Sequence, residues 1–148
     1  MNISASDVNK LRQQTGAGMM DCKKALTEAN GDFEEAVVIL RKKGQKVSAS
    51  RADREANEGV VVAMGDATSS FGILVEVTCE TDFVAKTEDF QNLGKEIAMQ
   101  VASMKPESVA ELLKQDYLRD SSKTIEGMIK SLSGKTGENI TVVALAVM

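Results

Sequence analysis

The chain has 148 residues, of which 43% are hydrophobic and 27% charged, proportions that exclude a wholly disordered or fibrous polypeptide. It contains no histidine. That excludes His general-base catalysis, His-paired nucleophiles and zinc sites that use His. The net charge of −4 is unevenly spread: residues 1–54 carry ten basic and seven acidic side chains, residues 55–148 eight and fifteen. Balances of +3 and −7 point to two units with different surfaces. Only 3% of residues are aromatic, so the core is expected to be aliphatic, helped by eight Met. No apolar run approaches the roughly 18 residues of a membrane helix. The first residues have neither the apolar centre of a secretory signal nor the Arg-rich bias of a transit peptide. A cytoplasmic protein with no membrane partner is expected.

Three helices are predicted first. Ser4 and Asp7 make a capping pair, Val8 and Leu11 give the apolar stripe, and Thr15-Gly16-Ala17-Gly18 ends the helix. Met19, Cys22, Leu26 and Ala29 share a face of the second helix, which Asn30-Gly31 closes. Asp32 and Glu35 cap a third, with Phe33, Ala36, Val37 and Leu40 inward and Gly44 as its expected end. Residues 1–44 thus read as a small three-helix domain. Residues 45–57 are polar, lack a continuous apolar face and read as a partly helical linker.

The pattern changes after Glu58. Val60 to Met64 and Phe71 to Cys79 read as two strands of a hairpin around a turn at 66–70. Phe90, Leu93, Ile97, Val101 and Met104 mark a long helix that Pro106 interrupts. Val109, Leu112 and Leu113 mark a short helix, and Ile125, Met128, Ile129 and Leu132 another, closed by Gly134. Ile140 to Val147 is a final strand. Residues 58–148 therefore form a β-β-α-α-β unit with a small antiparallel sheet, and the fold class is α+β. The last strand is nearly all apolar and is expected to be shielded on both faces. Either it is central, or a partner covers it, or the chain is a piece of something longer.

Few residues offer covalent chemistry. No phosphate-binding loop, dinucleotide fingerprint or nucleophile elbow is present, and the carboxylates scatter in the manner of solvated helix faces. An enzyme is not expected, nor a cofactor or metal. Cys22 and Cys79 lie far apart, without the spacing of a metal site, and read as small buried thiols. The basic run Arg41, Lys42, Lys43, Lys46, Arg51, Arg54 lacks interleaved aromatics. It reads as a helix end complementing the helix dipole, with no direct nucleic-acid partner expected. The segment Glu80-Thr81-Asp82-Phe83-Val84-Ala85-Lys86 is unusual for a connector. Its residues leave two readings open: Phe83 folds back as a staple while Asp82 caps a turn, or Phe83 stands exposed beside a carboxylate as an interface anchor.

Residues 11–26 (LRQQTGAGMMDCKKAL), continuing through Glu28-Ala29-Asn30-Gly31-Asp32, resemble the N-terminal signature of bacterial translation elongation factor Ts. Cys79-Glu80-Thr81-Asp82-Phe83-Val84-Ala85-Lys86 resembles that family's second signature, and Thr136-Gly137-Glu138-Asn139-Ile140 resembles its approach to the closing strand. The resemblance implies a guanine nucleotide exchange factor for elongation factor Tu. It implies that the first three helices are a ubiquitin-associated-like domain docking on the GTPase, with Arg12, Met19, Met20, Lys23 and Lys24 as candidate contacts. It implies that the turn of Thr81, Asp82, Phe83 and Val84 intrudes near the nucleotide, and that any magnesium belongs to the partner. Typical members continue into a second core half. The chain is thus expected to be a short or truncated form, and the alternative function is a docking module that binds the GTPase without displacing GDP.

Overall fold

The computed structural model describes residues 2–66, 68 and 70–148. Three helices open the chain: α1 (Ala5–Thr15), α2 (Met19–Glu28) and α3 (Phe33–Ser50). The Ser4 hydroxyl accepts from the Asp7 amide at 3.1 Å and the Asp7 carboxylate accepts from the Ser4 amide at 3.3 Å, the reciprocal cap that starts α1. Val8, Leu11, Cys22, Ala25, Leu26, Ala29 and Ala36 form the small core of this bundle. Met19, which the spacing assigns to the apolar stripe, instead points outward.

Gly44 does not end the third helix. α3 runs on through it to Ser50, carrying the helix into the stretch expected to be a linker. Glycine inside a helix costs about 1 kcal/mol relative to alanine. Here it lies where α3 crosses α7 (Ile125–Thr136). A Cβ built on Gly134 of α7 would stand 3.1 Å from Cα of Gly44, so the two backbones cross with no side chain between them. For the same reason Gly134 is a packing residue and not the end of α7, which closes at the left-handed Gly137.

The sheet consists of β1 (Glu58–Asp66), β2 (Phe71–Cys79) and β5 (Thr141–Val147), antiparallel throughout, in the order β1-β2-β5. Val60 pairs with Val77 and Val62 with Val75, so the apolar sets of the hairpin share one face. Of the turn expected at 66–70, residues 67 and 69 lie outside the described residues. The closing strand is not central. β5 is an edge, with Val143 on its outer face 49% exposed, because β2, already paired with β1, takes the middle place.

Helix α5 (Glu88–Met104) covers the inner face with Phe90, Leu93, Ile97 and Val101. Gly94 allows the close approach, since a Cβ there would sit 3.0 Å from Cγ1 of Val60. The short helices α4 (Asp82–Ala85) and α6 (Val109–Lys114) flank it. A two-stranded ribbon of β3 (Asp116–Tyr117) and β4 (Asp120–Thr124) was not foreseen. Its sequence is too polar to show strand periodicity. The ribbon hangs instead on buried Gln100 of α5, whose side chain donates to the Asp116 carbonyl at 3.0 Å and accepts from the Leu118 amide at 3.1 Å.

Candidate partner-binding site

Where β2 ends, the chain turns sharply into α4. The Thr81 hydroxyl caps that helix by accepting from the Val84 amide at 3.4 Å, so the cap is Thr81 and not Asp82. Behind the turn, Ala85 is buried and Val84 packs half-buried on the main core. The Gln91 amide group donates to the Ala85 carbonyl at 2.7 Å and the Thr87 hydroxyl to the Val84 carbonyl at 2.7 Å. Between these fixed points the Phe83 side chain is 80% exposed. It makes no staple, which removes the fold-back reading. Asp82 beside it is exposed and pairs with Lys86 at 3.1 Å, a contact of little energetic weight at the surface.

The front of the turn is held from across the sheet. One carboxylate, Glu138, accepts from the amides of Glu80 at 3.0 Å and Thr81 at 2.9 Å, and from the Thr81 hydroxyl at 2.6 Å. The exchange is mutual, for Glu80 accepts from the Asn139 amide at 2.7 Å. Glu80 also pairs with Arg54 at 3.6 Å, while the Asn139 side chain donates to the carbonyls of Arg54 at 2.8 Å and Ala52 at 3.4 Å. The segment after α3 therefore joins the same node. Sequence reasoning named Glu80 and Glu138 only as members of family-like segments. Their pairing spans 58 residues and no local pattern reports it.

Cys79 lies under this turn, its thiol donating to the Thr81 carbonyl at 3.2 Å. Burial, reinforced by the Glu138 charge, pushes its pKa from 9.0 up to about 11. Both cysteines are free and buried. The folded chain should therefore resist alkylation by iodoacetamide at pH 8 and react at both thiols in denaturant. The fold holds the Cys79 proton more tightly than the unfolded chain does, so its contribution to stability is complete below pH 9 and is lost as pH rises towards 11. Rapid native-state labelling of Cys79 would contradict this placement.

On the helical bundle, Met19, Met20, Lys23 and Lys24 are all exposed, the two methionines by 53% and 64%. Helical spacing puts Met20, Lys23 and Lys24 on one side of α2, away from the Cys22, Ala25 and Leu26 that face the core, while Met19 shares the line of Cys22 and Leu26 but stands exposed at the first turn. Arg12 is also exposed but stands on α1. The basic run is partly consumed by tertiary structure: Lys43 pairs with Asp21, Arg51 donates to the Ser133 carbonyl at 3.3 Å, and Arg54 holds Glu80. A cavity of about 430 Å³ between the bundle and α7 is also lined by charged groups, but Lys43, Lys123 and Lys135 there are paired with Asp21, Asp120 and Asp89. Among the described residues no group of three or more acidic or thiol side chains could hold a metal ion, and no helix is long and apolar enough to cross a membrane.

The family model for elongation factor Ts matches residues 80–148, starting at the turn itself. An elongation factor Ts from Caldanaerobacter subterraneus subsp. tengcongensis is 40% identical over 185 aligned positions, which cover 95% of this chain and 92% of the relative. The chain belongs to the elongation factor Ts family. Membership puts it among the elongation factors of protein biosynthesis. The elongation factor Ts of Fervidobacterium nodosum is 48% identical, over 91% of this chain and 75% of the relative. That of Amoebophilus asiaticus is 49% identical over 97% of this chain, which spans about half (51%) of its length. The 185 positions aligned with the Caldanaerobacter elongation factor Ts exceed the length of this chain, so that relative carries residues without a counterpart here.

Proposed function

We propose that the chain promotes release of GDP from elongation factor Tu in the cytoplasm, with the turn of Thr81, Asp82, Phe83 and Val84 as the intruding element. The observation that carries this reading is an 80% exposed Phe83 on a turn held rigidly on both sides. An aromatic side chain presented in this way is costly to leave in water and gains when a partner buries it. Exchange needs no nucleophile and no metal of its own. It needs a surface that fits the nucleotide-free GTPase better than the GDP-bound one, and by linkage each ligand then weakens the other by the same factor. Asp82 would bring a negative charge towards the groups that hold phosphate and magnesium in the partner. In this reading the protein is not an enzyme in the covalent sense.

Residues 1–44 act as the docking domain, with Met19, Met20, Lys23 and Lys24 on the contact face and Arg12 beside it. Residues 45–57, the end of α3 and the segment after it, link this domain to residues 58–148, the unit that carries the wedge. The test is the release rate of a fluorescent GDP analogue from elongation factor Tu as this chain is titrated to saturation. Faster release is expected. Binding in a pull-down with no acceleration would replace the reading by the alternative, a docking module that leaves GDP in place.

A further inference from the structure

We infer that Glu138 is a positioning residue for exchange, setting the direction in which Phe83 is presented; the inference rests on the function proposed above. Phe83 has almost no packing of its own, so its place relative to the sheet depends on the backbone of residues 80–84. Glu138 satisfies three donors of that backbone turn at once, the amides of Glu80 and Thr81 and the Thr81 hydroxyl. Hydrogen bonds to a carboxylate are roughly twice as strong as neutral ones.

The third bond has a directional consequence. The Thr81 hydroxyl has one proton, and at 2.6 Å it goes to Oε2 of Glu138. Its lone pairs are then left for the Val84 amide, the bond that starts the helical turn bracketing Asp82 and Phe83. The order runs from Glu138 through Thr81 to Val84, with Phe83 held between the last two. Glu138 is itself fixed, because the Ser133 hydroxyl donates to its carbonyl at 2.6 Å and Glu80 holds the next amide along. Core cohesion does not require this arrangement. The apolar cluster of sheet and helices is complete without residue 138, and a cap needs only the threonine.

The experiment has two independent arms. The first replaces Phe83 by Trp, which is then the only tryptophan of the chain, and follows its fluorescence anisotropy decay in the isolated protein. Adding Glu138→Ala should introduce a fast component of large amplitude, while Glu138→Gln, which keeps an acceptor for both amides, should stay near the parent. The second arm keeps Phe83 and measures GDP release from elongation factor Tu. Glu138→Ala should lower the maximal rate by about tenfold, the scale of losing hydrogen bonds to a charged group. The half-saturating concentration should change much less, and Glu138→Gln should restore most of the rate. Circular dichroism confirms that each variant is folded. Should Glu138→Ala unfold, Thr81→Val against Thr81→Ser puts the same question to the hydroxyl alone. An unchanged anisotropy decay together with an unchanged maximal rate overturns the inference, as does a Gln variant as impaired as the Ala variant. If the wild-type chain does not accelerate release, the exchange function fails, and the placement of the turn by Glu138 is then decided by the anisotropy arm alone.

Discussion

Replacing Phe83 by alanine should slow GDP release from elongation factor Tu by roughly 10- to 150-fold at equal concentration while leaving the chain's own thermal unfolding unmoved. The fold-change follows from burying one large apolar side chain at the interface, about 1.5–3 kcal/mol. The unmoved melting temperature follows from the 80% exposure of Phe83 in the free chain, since truncating an exposed side chain away from caps and networks changes stability by no more than about 0.5 kcal/mol. The dissociation of effects is the informative part. A structural residue would move both measurements, and a bystander would move neither. Stopped-flow release of a fluorescent GDP analogue, paired with a thermal melt of the free variant, gives both numbers. A Phe83→Ala chain that exchanges like wild type removes the wedge from the mechanism. The Asp82→Ala, Phe83→Ala double variant then tests whether the carboxylate alone suffices.

Phe90→Ala should show the opposite profile. Phe90 is fully buried among Val75, Val77, Ile97 and the rest of the inner face of the sheet. Its own amide is bonded to the Thr87 hydroxyl at 3.3 Å, the cap that starts α5, so its backbone has little freedom to close the space that truncation opens. Cavities of this kind cost about 3–5 kcal/mol. A domain of this size has about 5–15 kcal/mol in all, so a large share of the stability should go. Urea unfolding followed by circular dichroism measures it. A loss below about 1 kcal/mol would mean that α5 does not cover the sheet as described.

These two phenylalanines lie seven positions apart, and the contrast between them separates what the chain sequence states from what the fold decides. Phe90 was legible in advance. It repeats with Leu93, Ile97 and Val101 at helical spacing, and a side chain in such a series has to face the core. Phe83 was not. It stands in a short segment with no period, where a staple and an exposed anchor have the same composition.

By itself the sequence determined the elements whose cause is local. The Ser4 and Asp7 cap, the apolar stripes of the helices and the alternation in the β-hairpin each rest on residues a few positions apart. The lack of His chemistry and the three segments that resemble the elongation factor Ts family were likewise legible in the sequence. The tertiary structure decided whatever depends on distant partners. Gly44 and Gly134 read as helix ends in the sequence but lie inside α3 and α7; at Gly134 only the neighbouring backbone of Gly44 reveals why a side chain is missing, whereas a Cβ on Gly44 would meet nothing. The closing strand became an edge because strand order is set by which partner β2 already holds. The polar ribbon at 116–124 exists because Gln100 of another helix supplies its hydrogen bonds. The aim of Phe83 depends on Glu138, 55 positions further along the chain, where the carboxylate meets the Thr81 turn only once the two outer strands flank β2 and bring the start of β5 beside the end of β2.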